Sequence, residues 1–373
     1  MASEAGSAPP AKDRHILALD GGGVRGIVTL HMLAALEERL RRPACEFFDL
    51  IAGTSTGAII AALLAFRRLT AAEILGLYRR LIPRLFRASL RTVVPIRYLV
   101  PALYPRGEAL DLLEELFGDT TLGELGGKRP GNPQAILLTT HDLVRDEEIF
   151  LSNYPFQSAH ANYGATWRVC DAVAASALSA PWYFGPYEGR FVDGGVTVFN
   201  TPARQAAIEA LDYCAAPPFE RGATVLWSFG SGAFRSGFRK WDADDWPPWR
   251  WGRRLYSDVQ GDAEADQIFG AMRMASRGEI AFRRYQVTIA PETVAALGVP
   301  IPTPDLPIEL DRADALEFLD ELGRRFAARI DWDRPDGFLL RPERSDPLQD
   351  PDLWRSPEPP PPRPPEKTSA RLA

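Results

Sequence analysis

The side chains able to do chemistry stand inside short glycine clusters. Ser55 is the middle of Gly53-Thr54-Ser55-Thr56-Gly57. Residues 47–52 form an apolar run, broken by Asp49, that reads as a short buried strand, and residues 58–66 read as the opening of a buried helix. Five residues must then reverse the chain sharply and hold Ser55 at the corner. Gly53 and Gly57 suit such a corner, because the backbone is strained there and strand and helix approach too closely for a Cβ. The hydroxyl lies at a helix N-terminus, where free N–H groups and the helix dipole favour developing negative charge. That is the setting of a nucleophile for acyl transfer. A plain Gly/Ser/Thr turn has the same letters, and this pattern alone does not separate the two.

The second cluster is Asp20-Gly21-Gly22-Gly23-Val24-Arg25-Gly26, directly after a strand over residues 15–19. Gly21, Gly23 and Gly26 satisfy G-x-G-x-x-G, the mark of a dinucleotide-binding loop. Against a bound cofactor, Asp20 would set a carboxylate beside the pyrophosphate, and Asp49 lies inside an apolar run rather than at a strand end where it could take the ribose. The other reading is an oxyanion hole: consecutive glycines turn several N–H groups toward one point, and Arg25 adds a cation nearby. With the serine cluster about 30 residues downstream, the oxyanion hole fits better.

The serine needs a base. His15 precedes a strand, His31 lies on a helix and His160 in a loop, which leaves His141, just past a strand end, as the candidate for a Ser-His-Asp triad. Asp193 is the stronger candidate. It closes a strand before Gly194-Gly195, in a turn able to present a side chain at the carboxyl edge of a sheet. An Asx turn with no chemistry is the alternative reading of the same residues.

The elements that must hold these clusters alternate. Strands are expected at 15–19, 47–52, 135–140, 190–196, 224–229 and 285–289, and helices at 30–40, 58–66, 71–90 (interrupted by Pro83), 108–117, 168–178, 202–211 and 311–330. Residues 91–106 read as loop and 150–164 as an aromatic, polar surface segment. This order points to an α/β domain over residues 14–341 with a largely parallel sheet, between a disordered tail at 1–13 and a Pro-rich one at 342–373. At 373 residues and 46% apolar content the chain can fill a sizeable core. A net charge of −6, without a basic stripe, argues against a nucleic-acid partner. The three cysteines and four histidines are scattered, so neither a disulfide framework nor a metal centre is indicated. The N-terminus lacks a secretion signal and the longest apolar run is about half a membrane span, so a cytoplasmic protein, in contact with membranes at most peripherally, is the expectation.

Taken together, DGGGVRG, GTSTG and the later DGG resemble, in order and spacing, the patatin-like phospholipase family, over about residues 14–211. The resemblance implies a three-layer α/β/α fold and a lipid acyl hydrolase that cleaves carboxylic esters of glycerolipids, including phospholipids, without metal or cofactor. It implies a dyad in which Ser55 is the nucleophile and Asp193 the proton acceptor, with the N–H groups of Gly22, Gly23 and Val24 as oxyanion hole. Some bacterial members resembling this chain are phospholipases switched on by a cyclic nucleotide, so a small-molecule activator is a second expectation. A dinucleotide-binding protein using Gly21–Gly26, or a storage or scaffold protein, are the readings from other classes. With an Asp as base, substantial activity is expected below pH 6. The segment around Trp241, Trp246, Trp249 and Trp251, with Arg250, Arg253 and Arg254, reads either as packed into the domain or as a lipid-facing surface. Pro247-Pro248 is expected to keep it out of regular structure.

Overall fold

The computed structural model describes residues 13–87, 89, 100–127, 134–154, 164–234 and 246–333, with backbone only at 248–250 and 252–260. The order is β1 (Arg14–Leu19), α1 (Gly26–Leu40), α2 (Ala44–Phe47), β2 (Leu50–Gly53), α3 (Thr56–Arg67), α4 (Ala71–Leu85), α5 (Gly107–Phe117), β3 (Ala135–Asp142) and β4 (Glu147–Ser152). There follow α6 (Val169–Ala177), β5 (Phe191–Asp193), α7 (Ala203–Ile208), β6 (Thr224–Phe229), β7 (Ala233–Phe234), α8 (Pro248–Ser276), β8 (Ala281–Tyr285), β9 (Thr288–Ile289), α9 (Pro291–Leu297) and α10 (Leu316–Ala327).

The main sheet runs β4-β3-β2-β1-β6-β8, with β5 also paired to β3. The pairs β1–β2, β1–β6, β2–β3 and β6–β8 are parallel, whereas β4 and β5 run antiparallel to β3. The central strands are apolar in succession because helices cover both faces. Ile16, Ala18, Leu50, Ala52, Leu137 and Leu226 pack against the alanines Ala203, Ala206, Ala207 and Ala210 of α7 and Ala271 of α8. The alternate residues Leu17, Leu19, Ile51, Ile136 and Leu138 are equally buried, on the face where α3 and α6 lie and where α4 and α10 pack against α1. Small side chains on α7 let that helix sit close to the strands, so enlarging one would overpack the core at a cost of about 1–3 kcal/mol.

Several boundaries differ from expectation for physical reasons. Phe47 belongs to the short α2, not to β2; its ring stacks on His15 at 4.2 Å, which ties it to the start of β1 instead. Residues 147–152 form β4, and Ser152 and Leu151 are buried, so that stretch is not a surface segment. Pro247 and Pro248 do not break regular structure. They begin α8, Pro248 standing at the first helical position, where its missing N–H costs nothing. Next to them Trp246 is half-buried and Trp251 is 42% exposed, their rings 5.3 Å apart. Trp241, the side chains of Trp249, Arg250, Arg253 and Arg254, residues 1–12 of the expected N-terminal tail and the whole expected C-terminal tail lie outside the described residues. Pro83 sits inside α4 near its end without terminating it. The expected helix at 311–330 is shorter, as α10, preceded by a single 3-10 turn at Ala313–Ala315. No described helix is long and apolar enough to cross a membrane.

Candidate functional site

β3 brings the serine and the aspartate together. On one side it pairs with β2 as far as Leu138, opposite Gly53. β4 occupies its other side from Leu137 to Asp142, so β5 must pair on the β2 side, where Thr140 meets Asp193. β2 and β5 therefore approach head to head along one edge of β3. Gly53 ends one strand and Asp193 ends the other.

Between β2 and α3 the chain turns through Ser55 at φ 54° and ψ −124°, left-handed backbone for a residue with a side chain. Such a conformation costs about 1–3 kcal/mol and needs rigid surroundings. The flanking glycines supply the closeness: a Cβ at Gly53 would stand 2.3 Å from the Gly57 carbonyl oxygen, and one at Gly57 would stand 2.4 Å from that of Leu19. The Ser55 amide donates to Ser176 Oγ on α6 at 3.2 Å. Thr54 is tied down as well. Its hydroxyl donates to the Phe199 carbonyl at 2.7 Å and accepts from Thr139 Oγ1 at 2.7 Å, which fixes the turn relative to β3.

Asp193 is 2% exposed and lies on the same face of β3 as Thr140, its direct partner across the strands. Its carboxylate accepts the Gly195 amide at 2.7 Å and interacts with the Ser55 hydroxyl closely enough to favour the ionised form. Burial pushes its pKa up to about 7; these two interactions pull the other way but are outweighed. A carboxyl group so placed titrates where a histidine would.

In the Gly-rich loop each carbonyl has a holder. Ser231 Oγ donates to Gly21 O at 2.7 Å, the Arg25 amide to Gly22 O at 3.1 Å, and the Tyr78 hydroxyl to Gly23 O. In a trans peptide the N–H points opposite to the carbonyl, so the amides of Gly22 and Gly23 are turned away from these holders. Neither makes a hydrogen bond among the described residues. Val24 departs from expectation: its N–H donates to the Leu310 carbonyl at 2.9 Å and is not available to a substrate. Gly21 touches the serine corner, since a Cβ there would lie 3.2 Å from Ser55 Cβ. The Gly21 amide donates to Asn200 O at 2.9 Å.

Asp20 is engaged elsewhere. Arg284 on β8 grips it through two nitrogens, at 3.0 and 2.6 Å, and also reaches Glu264 on α8 at 3.1 Å. Burial raises the Asp20 pKa to about 6 against the pull of Arg284, which leaves the pair ionised at neutral pH. Arg25 is a brace rather than a free cation: it donates to Gly232 O at 3.0 Å and lies over the Phe234 ring at 5.2 Å. Asp49 sits at the opposite edge of the sheet, bonded to Arg14 at 2.7 Å and to the His15 amide at 2.8 Å, where it cannot serve a nucleotide held by the loop. His141 follows Thr140, so its side chain points to the other face of β3; there Glu148 lies 3.3 Å away and Asp146 3.7 Å. His15 and His31 are held by Trp227 and Asp320, and His160 lies outside the described residues. Sequence reasoning missed Ser176, Asn200, Ser231 and Tyr78, which reach the site from distant parts of the chain. Only Ser231 carried a signal, standing between two glycines at a strand end.

A sequence model of the patatin-like phospholipase family matches residues 17–207, which include the three glycine clusters around Gly21–Gly26, Gly53–Gly57 and Gly194–Gly195, with Ser55 and Asp193. The chain belongs to that family. Among curated relatives, a cGAMP-activated phospholipase of Pseudomonas aeruginosa is 30% identical over 61% of this chain and 68% of its own length. Calcium-independent phospholipase A2-gamma of Mus musculus is 29% identical over 63% of this chain, which spans only 30% of that larger relative. VipD of Legionella pneumophila is a looser structural likeness, at 14% identity and TM-score 0.34, covering 86% of this chain and 69% of that one.

Proposed function

We propose that the chain is a lipid acyl hydrolase that cleaves carboxylic esters of glycerolipids, phospholipids among them, by way of an acyl-enzyme on Ser55. The observation that carries this reading is the Ser55 hydroxyl interacting with a buried Asp193 whose pKa is raised to about 7. An ordinary aspartate, near 4, is a poor acceptor for a serine proton, whereas one near neutrality is matched to the task.

In this scheme Ser55 Oγ attacks the ester carbonyl while its proton passes to the Asp193 carboxylate. The carbonyl oxygen becomes negative as the C–O bond turns single, and the Gly22 and Gly23 amides receive that charge. Because these donors are fixed before the reaction, they lower the barrier without reorganising; losing one costs about 3–4 kcal/mol in comparable sites. Asp193 then returns the proton to the departing alcohol. Water, deprotonated by the same carboxylate, attacks the acyl-enzyme; as the C–Oγ bond breaks, Asp193 returns that proton to Ser55 Oγ and the fatty acid leaves. The scheme calls on no metal or cofactor.

The names and identities of the relatives support a phospholipid substrate, and an enzyme acting on lipids in a bilayer works at the membrane surface. The 30% identity to a cGAMP-activated relative favours one addition, activation by a cyclic nucleotide, which a rate measurement with and without cGAMP decides. The catalytic reading is tested by turnover of a short-chain ester and of phospholipid vesicles. Ser55→Ala and Asp193→Asn are each expected to lower it by about a thousandfold or more with an unchanged circular dichroism spectrum. Wild-type turnover in either folded variant would rule the dyad out.

A further inference from the structure

We propose that Tyr78 is a positioning residue that fixes the oxyanion donors relative to the nucleophile, by tying Gly23 of the Gly-rich loop to Thr56 of the serine corner through its hydroxyl. The inference rests on the reading of Ser55 and the Gly22 and Gly23 amides given above.

Tyr78 stands on α4, outside all three glycine clusters, and is 5% exposed. Its hydroxyl donates to the Gly23 carbonyl and lies 2.8 Å from Thr56 Oγ1. The proton count settles the direction. A carbonyl can only accept, so the single phenolic proton goes to Gly23 and Thr56 must donate to Tyr78. Thr56 is the first residue of α3 and follows Ser55 directly. One oxygen atom thus joins the residue after the nucleophile to the loop that carries the donors.

The bond acts on a peptide that is gripped at both edges. The carbonyl of the Gly23–Val24 peptide is held by Tyr78, and its N–H is held by the Leu310 carbonyl at 2.9 Å. Leu310 also crowds Gly23, where the backbone is left-handed at φ 54° and a Cβ would stand 2.4 Å from Leu310 O. With that peptide plane fixed, little freedom remains at Gly23, whose own amide is one of the two donors. The same bond explains the last glycine of the cluster. A Cβ at Gly26 would lie 2.6 Å from Thr56 Oγ1 and 2.7 Å from the Tyr78 hydroxyl, so a side chain there would push the two apart. Gly26 therefore has a reason to be glycine that involves no phosphate. Burial raises the Tyr78 pKa, which keeps the phenol protonated, and so a donor, across the working range.

A buried tyrosine that merely packs α4 would affect stability, not the balance between ground state and transition state. The test uses Tyr78→Phe, a short-chain soluble ester, and a trifluoromethyl ketone, whose carbonyl is attacked by the serine to give an oxyanion in the same place as in the reaction. The expected result is a kcat lower by about tenfold or more, KM within about twofold of wild type, and ketone affinity reduced by the same factor as kcat/KM. Thr56→Val, which removes the donor to Tyr78, is expected to shift kcat and ketone affinity in the same direction, and it carries the test if Tyr78→Phe fails to fold. Wild-type kcat and ketone affinity in a folded variant overturn the inference, and so does a loss of kcat with ketone affinity unchanged. Ser55→Ala measured in parallel separates the two levels. If it stays active, the nucleophile assignment fails; if it is inactive while Tyr78→Phe behaves as wild type, only the positioning role fails.

Discussion

The buried carboxylate of Asp193 interacts with the hydroxyl of Ser55, and among the described residues no cation contributes to holding its charge. The contrast with Asp142, which stands two positions along β3 from Thr140, the strand partner of Asp193, shows what a cation does. Arg190 bonds Asp142 at 2.8 Å and holds its pKa down to about 2. With burial unopposed by any such partner, Asp193 moves the other way, to about 7.

The acid limb of kcat/KM is therefore expected near pH 7. Activity is expected to fall away below pH 6, contrary to what an ordinary aspartate base implies. The limb alone no longer separates Asp from His, so the variant must. His141→Ala, altering a side chain on the far face of β3, is expected to leave both the limb and the rate within about twofold of wild type. A dead His141→Ala enzyme with its fold intact contradicts the geometry.

The same shift bears on stability. A folded-state pKa raised from 3.8 to about 7 means that the native state holds the proton more tightly than the unfolded chain. The stabilising contribution is fully present below the unfolded value and is lost as pH rises through 7. Above it, the ionised buried group costs on the order of 4 kcal/mol. Asp193→Asn removes that cost while keeping an oxygen to accept the Gly195 amide. Its melting temperature is expected to exceed that of wild type at pH 8 and to converge with it near pH 4; a lower value at pH 8 would contradict the assignment.

Gly53→Ala places a methyl 2.3 Å from the Gly57 carbonyl oxygen and 2.5 Å from its carbon, backbone atoms that can yield only by moving α3. Overpacking of this kind typically costs about 1–3 kcal/mol, and because α3 carries the serine corner the activity is expected to fall with it. Gly76, inside α4 with nothing within 4 Å of a Cβ, is the comparison. There alanine is expected to stabilise by about 0.5–1 kcal/mol. Thermal melts of the two variants read the difference directly.

What was legible in the sequence were the features that depend on neighbours along the chain. The apolar runs of β1, β3 and β6 stand in consecutive residues, so the parallel sheet could be anticipated, whereas a Ser55–Asp193 pair is implied only by the family resemblance of the three glycine clusters. Features set by partners far along the chain could not. The hydroxyl that holds Gly23 comes from 55 residues away, and the carbonyl that occupies Val24 comes from Leu310. From the glycine cluster alone Val24 reads as a donor, but its N–H is taken by that distant carbonyl. β4 was hidden because its aromatic Phe150 packs on Phe199, at 4.9 Å, and not on anything nearby in sequence. α8 was hidden because a proline pair reads as a breaker unless it falls at a helix start.

The measurement that bears most directly on the central claim is intact-mass spectrometry after treatment with a fluorophosphonate, which reacts with an activated serine and leaves a stable adduct. Wild type is expected to gain one adduct, mapped to Ser55, Asp193→Asn to label far more slowly, and Ser55→Ala to remain unmodified. Equal labelling of Ser55→Ala, or an adduct on another serine in the wild type, would contradict the account.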